Sequence, residues 1–166
     1  MKQSLETWPN RWRSPAFWLA VGLGSGLMKP APGTWGSLFA LVLGYLMITQ
    51  GVSIEVFTAA IVGVSLLGTL AINRIEKLSG VHDAPEIVID EVAGMWIAML
   101  PLWHLGTDYI LIVLAFVLFR FFDIIKPWPI GWLDKQVSGG FGVMVDDIVA
   151  GIFAVAGIEI FATLLL

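Results

Sequence analysis

The sequence predicts an all-α, polytopic membrane protein with about five transmembrane helices behind a re-entrant or interfacial N-terminal segment. Three observations lead there. Of 166 residues, 58% are hydrophobic and only 13% charged, against roughly 25% charged residues in a soluble domain. Long apolar runs recur at close to the ~20 residues needed to cross a hydrocarbon core. The basic residues fall on one side of the topology those runs define. Length and the share of chain taken up by spans fit one integral-membrane domain over residues 1–166.

Taken in order, the chain starts with a polar, aromatic stretch that contains Trp8, Trp12 and Trp18. No small-residue cleavage site follows a short apolar core there, so no cleaved signal peptide is expected. Residues 16–28 are apolar, but the stretch is short and holds Gly22, Gly24 and Gly26, which suits a re-entrant or interfacial element better than a span. Spans are expected at roughly 35–50, 56–73, 108–125 and 145–165. A shorter one is expected at about 90–104, carrying Asp90 and Glu91 at its start and Pro101 inside. If residues 16–28 do not cross, all nine Lys and Arg lie on one face: Lys2, Arg11, Arg13, Lys29, Arg74, Lys77, Arg120, Lys126 and Lys135. The positive-inside rule makes that face cytoplasmic. Trp128 and Trp132, after the fourth span, fit the headgroup level.

Composition also excludes classes of function. There is no cysteine, hence no disulfide, thiolate ligand or cysteine nucleophile. The net charge is −4, with basic residues dispersed among acidic ones, and gives no nucleic-acid surface.

The chemistry is concentrated in carboxylates at helix ends. Asp90 and Glu91 open one expected span, Asp123 sits in the last turns of another, and Asp146 and Asp147 open the last. Charged groups inside a membrane cost ~2.5–3.5 kcal/mol even on lenient scales and face a protein interior or a wet cavity. Five carboxylates at one depth repel one another, so Arg120 and Lys126 or a divalent ion must hold them. Arg120, Asp123 and Lys126 are spaced i, i+3, i+6, a charged ridge along one side of a helix that Pro127 ends. Asp90-Glu91-Val92-Ala93-Gly94 and Asp147-Ile148-Val149-Ala150-Gly151 share four residues of five. In each, the Gly lies one turn from the Asp, where a second helix can come close. The plainer reading, acids in first turns complementing helix dipoles, needs one acid per helix and leaves the doubling unexplained. The Gly24–Ser37 loop is rich in Gly and Pro. With Thr34 and Ser37 it either cradles an anion at a helix N-terminus or turns and caps the chain. His82 and Asp83 lie in the loop before Asp90; His82 reads as a proton donor, a ligand or a solvated loop residue. His104 is expected on the far side.

In these blocks the sequence resembles the phosphatidylglycerophosphatase A family of bacterial membrane enzymes. The resemblance is carried by Pro32-Gly33-Thr34-Trp35-Gly36-Ser37, Val81-His82-Asp83, Asp90-Glu91 with Gly94-Met95-Trp96, Phe119 to Ile130, and Gly139 to Gly151, in that order. Lys29 stands where family members tend to carry Pro, so it is not read as a fixed phosphate ligand. The resemblance implies a magnesium-dependent phosphomonoesterase that converts phosphatidylglycerophosphate to phosphatidylglycerol. It places the enzyme in the bacterial inner membrane with its site at the cytoplasmic face. Under that reading Asp90, Glu91, Asp123, Asp146 and Asp147 supply metal ligands and a base. Arg120 and Lys126, with Thr34 and Ser37, bind phosphate, and His82 or Asp83 protonates the leaving alkoxide. Direct attack by water and an aspartyl-phosphate intermediate both stay open. The competing class is a small transporter that uses its carboxylates as a cation or proton relay. Oligomeric state is not readable from the sequence.

Overall fold

A computed structural model describes residues 4–82 and 84–165, and all regular structure among them is helical. After two short 3-10 turns, helix α1 (Pro15–Ala20) starts with the Ser14 hydroxyl accepting from the Phe17 amide, and Pro15 is in its first turn. Left-handed backbone at Gly22, Leu23 and Gly24 then breaks the chain. Residues 16–28 therefore make no helix long enough to cross a membrane.

Helix α2 (Pro32–Thr49) begins at Pro32, three residues before the expected start, behind Ala31 at φ 59°. Gly33, Thr34 and Ser37 thus belong to the first turns of a helix and not to the loop the sequence suggested. Helix α3 (Ile54–Ser79) follows and is closed by Gly80 in the left-handed conformation, whose amide bonds the Glu76 carbonyl. Helix α4 (Ile89–Ala98) has only ten residues; the expected span 90–104 is interrupted before Pro101, and a separate four-residue turn, α5 (Leu102–Leu105), follows. Helix α6 (Tyr109–Ile125) is capped by the Asp108 carboxylate on the Ile110 amide at 2.8 Å. A short α7 (Ile130–Gln136) leads to α8 (Gly139–Leu165).

Among the described residues three helices, α2, α3 and α8, are long and apolar enough to cross a membrane, where the sequence led us to expect five. With 17 residues α6 stands at the lower limit, and α4 is far too short. The physical reason is that α4 needs no lipid-crossing length. Every one of its residues except Asp90 is buried, and α2, α3, α6 and α8 pack around it. Its apolar surface satisfies other helices, whereas Leu66, Leu70, Val117 and Ile160, more than half exposed on α3, α6 and α8, make the outer apolar surface of a membrane-associated bundle.

The short connections alternate helix direction, so α2, α4 and α8 bring their N-terminal ends to the end of the bundle where α3 and α6 finish. At that end the Asn73 side chain of α3 accepts from the Gly140 amide of α8 at 2.7 Å. The opposite end is closed by Trp103 donating to the Val52 carbonyl at 3.1 Å and by His104 on Glu159 at 3.0 Å, which leaves His104 remote from the carboxylates.

Within the bundle α4 and α8 cross with almost no space between backbones. A Cβ on Gly94 would stand 2.6 Å from the Asp147 carbonyl oxygen, and one on Gly151 would overlap the Gly94 carbonyl. The two matching glycines of the sequence are the two halves of one contact. A Gly94→Leu change should overpack this crossing by about 1–3 kcal/mol and lower the unfolding temperature in detergent. Gly63→Ala, where an added Cβ would meet no neighbouring element or side chain within 4 Å, should leave that temperature unchanged or raise it.

Candidate active site

The crossing of α4 and α8 sets four carboxylates side by side: Asp90 and Glu91 in the first turn of α4, Asp146 and Asp147 on α8. Because α8 starts at Gly139, its two acids lie two turns inside the helix and do not open it as expected. Dipole complementarity acts within the first turn and so does not account for them. Asp123, in the last turn of α6, completes the group.

These residues line a cleft of about 250 Å³ together with Arg120, Lys126, Asp134, Thr34, His82 and the backbone around Gly33 and Gly142. Its lining holds six carboxylates and two side-chain cations, a formal excess of four negative charges.

Arg120 is the central cation. One of its terminal nitrogens reaches Glu91 Oε2 at 2.5 Å, Asp123 Oδ2 at 2.7 Å and the Ser37 hydroxyl at 3.2 Å. The Ser37 hydroxyl, fully buried, also donates to Glu91 Oε2 at 2.7 Å. Gly33 is small for a reason visible here, since a Cβ would overlap Glu91 Oε1. The first two turns of α2 thus press on the Glu91 carboxylate and fix its position. Removing one partner from a buried ion pair costs ~3–5 kcal/mol, so this arrangement tolerates little change at Arg120.

Lys126 departs from the expected ridge. It ends α6 in the left-handed conformation, φ 47°, which turns it off the helix axis onto Asp146 at 2.5 Å and Asp134 at 2.7 Å. Burial works against its charge, yet its hydrogen bonds to Asp134 and Asp146 outweigh that and hold its pKa above the ordinary lysine value. The i, i+3 pair of Arg120 and Asp123 forms; the third member serves the other side of the cleft.

Several polar groups are left without a partner among the described residues. Asp147, 3% exposed, makes no hydrogen bond or ion pair there. Arg120 Nε and Asp146 Oδ1 are buried and unpaired. Oxygens of Glu91, Asp123 and Asp147 all lie within 4.8 Å of one another. Carboxylates this close, Glu91 and Asp147 buried and Asp123 partly so, match the donor set of a hard divalent cation, which takes oxygen ligands at about 2.0–2.6 Å. Such a group is costly when bare, so the residues present fit a metal.

The remaining sequence candidates divide. Thr34 and His82 line the cleft, but His82 Nδ1 is engaged by Glu76 at 3.0 Å. Asp83 lies outside the described residues. Asp90, in the first turn of α4, accepts from the adjacent Glu91 amide at 3.0 Å. Sequence reasoning missed Asp134 and Asn73. Asp134 returns to Lys126 through a turn containing Pro127 and Pro129, a path with no periodic signal. Asn73 acts through a backbone amide 67 residues away.

A helical membrane-associated enzyme whose polar cleft gathers carboxylates around two cations is the class of protein that fold and site define. Comparison with known proteins makes it particular. Residues 18–162 match the family model described as phosphatidylglycerophosphatase A, and the chain belongs to that family of phosphoric monoester hydrolases. It is 43% identical over 142 residues to phosphatidylglycerophosphatase A of Haemophilus influenzae, spanning 86% of this chain and 85% of the relative. Against the protein of the same name in Escherichia coli, identity is 45% over 151 residues, 89% of this chain and 83% of the relative. A relative from Bacteroides thetaiotaomicron, provisionally named a phosphatidylinositol-3-phosphatase, is 34% identical over 139 residues, 82% and 86% of the two chains. No solved structure matches.

Proposed function

We propose that this protein hydrolyses the terminal phosphomonoester of phosphatidylglycerophosphate to give phosphatidylglycerol, with magnesium as cofactor, at the cytoplasmic face of the bacterial inner membrane. The observation that carries the proposal is the set of Glu91, Asp123 and Asp147, with oxygens within 4.8 Å of one another and Asp147 without a partner among the described residues. The relatives' names supply the substrate class: each describes removal of a phosphate from a lipid headgroup.

Glu91, Asp123 and Asp147 would hold the metal, with Asp90 and Asp146 beside them. When bound, magnesium supplies positive charge between carboxylates and phosphate and stabilises the charge on the transferring phosphoryl group. Arg120 neutralises Glu91 and Asp123 from the side, and its unpaired Nε is the donor left for a phosphate oxygen. Lys126 holds the opposite wall through Asp134 and Asp146. Thr34 and the first turn of α2 bring a hydroxyl and helix amides to the same cleft. Asp90, which accepts from the amide of its neighbour, takes a proton from the attacking water as the water oxygen bonds to phosphorus. The bond from phosphorus to the glycerol oxygen breaks, and that oxygen takes a proton from His82 or Asp83. Lipid alcohol and inorganic phosphate are the products.

A transporter needs its charges on a path through the bundle. The six clustered carboxylates line a cleft at one end of the bundle, and Glu159 at the other end is paired with His104, which favours the enzyme reading.

Purified protein should release phosphate from phosphatidylglycerophosphate with magnesium and stop on chelation, and Asp147→Asn should lower kcat at least 100-fold while the fold persists. Undiminished release in chelator would remove the metal from the reaction. For orientation, single cysteines at Ser53 and Ser138, both exposed, should label from opposite sides of the membrane, Ser138 from the cytoplasm. Labelling of both from one side would refute the topology.

A further inference from the structure

Beside the acidic cleft is a second cavity of about 300 Å³, lined by Leu5, Trp12, Phe17 and Leu27 together with Arg11 and Lys29. Pro32 and Pro85 line both cavities and form their common wall. The N-terminal segment closes the second one. The buried Glu86 carboxylate accepts from the Ser4 hydroxyl and from the Leu5 amide at 3.2 Å, which clamps residues 4–5 onto the loop before α4. Trp12 packs against Phe17 and Trp18 at ring distances of 5.4 and 5.6 Å while half its surface stays exposed. Such amphipathic rings collect at the headgroup level of a membrane.

The two cavities differ in charge. The cleft carries an excess of four negative charges, whereas the second cavity is largely apolar, with Arg11 and Lys29 offset by Glu6 and Glu86. Glu86 is already committed to Ser4 and Leu5. Lys29 holds Glu6 at 2.9 Å with both side chains mostly exposed, and such pairs contribute little, so Lys29 can exchange Glu6 for another anion. Arg11 is fixed by the Glu6 and Trp8 carbonyls at 2.6 and 3.1 Å, and its guanidinium lies 4.8 Å from the Trp12 ring centre.

The substrate proposed for the cleft has two phosphates one glycerol apart. Its monoester reacts; its diester is joined to the diacylglycerol. With the monoester among the carboxylates, the diester needs positive charge just outside the cleft, and the diacylglycerol needs apolar wall beside that charge.

We propose that the second cavity seats the phosphodiester and acylated glycerol of the lipid, with Lys29 as its exchangeable cation, Arg11 as its fixed one, and Trp12, Phe17 and Leu27 against the glycerol and first methylenes. The inference rests on the cleft being a lipid phosphatase site and adds to it the device that selects lipid over soluble phosphomonoesters. Glycerol 3-phosphate has only the group the cleft takes. The reacting groups are untouched by this cavity, so its residues act on KM and not on the chemical step.

Two arms test it with Lys29→Glu and with Leu27→Phe, which narrows the cavity without adding a tryptophan. In the first, KM for phosphatidylglycerophosphate should rise at least 10-fold with kcat held within 2-fold, and kcat/KM for glycerol 3-phosphate should change by less than 2-fold. An equal change on both substrates, or none on the lipid, overturns the proposal. The second arm needs no turnover. Phosphatidylglycerol, which has the diester and lacks the monoester, should quench tryptophan fluorescence through brominated chains in neutral micelles at least 5-fold more weakly with either variant. Equal binding overturns the subsite, whereas loss of turnover in the wild type with this difference intact would count against the proposed reaction alone.

Discussion

Gly94 and Gly151 let α4 and α8 cross with backbone against backbone, and the cleft is arranged around that contact. Both helices point their N-terminal ends the same way, so the crossing sets Asp90 and Glu91 level with Asp146 and Asp147. Larger side chains there would separate the helices and with them the carboxylates. Since α4 is wrapped by four other helices, its position is fixed from all sides, which is what a site built from its first turn requires.

That placement creates an electrostatic demand. Six carboxylates share a cleft with Arg120 and Lys126, and a charge removed from water is tolerated only when it is paired. Arg120 answers for Glu91 and Asp123, and Lys126 for Asp134 and Asp146. Asp90, which accepts only a backbone amide, and Asp147 have no cation among the described residues. In the proposed reaction this local demand for positive charge would draw a cation-bridged phosphate into the cleft, metal and substrate together satisfying groups left unpaired among the described residues.

The helical class and the grouping of the acids were legible because hydropathy and the repeated Asp-to-Gly spacing are local signals. The count of spans was less so. A helix buried by its neighbours and a helix buried by lipid are both apolar all round, and α4 carries the same kind of sequence as a span while being ten residues long. Helix starts were misplaced where glycine obscured them: α8 begins at Gly139, within a glycine-rich stretch that reads as loop, and α2 begins at Pro32, where proline fits a first helical turn as well as it fits a bend. Within the site, the pairing of Arg120 with Asp123 followed from helical spacing. The turn of Lys126 toward Asp134 did not, because a left-handed residue outside glycine leaves no mark in a pattern. The family resemblance supplied what spacing could not, the nature of the substrate and the expectation of magnesium.

The proposed function needs a divalent cation held by Glu91, Asp123 and Asp147, and the most direct test is binding of the metal itself. Manganese, as a paramagnetic stand-in for magnesium, should titrate the purified protein to a saturable site that magnesium competes away. Asp147→Asn should weaken that site at least 10-fold without altering the helical circular dichroism. Unchanged manganese affinity in the variant, or no saturable binding by the wild type, would contradict the account.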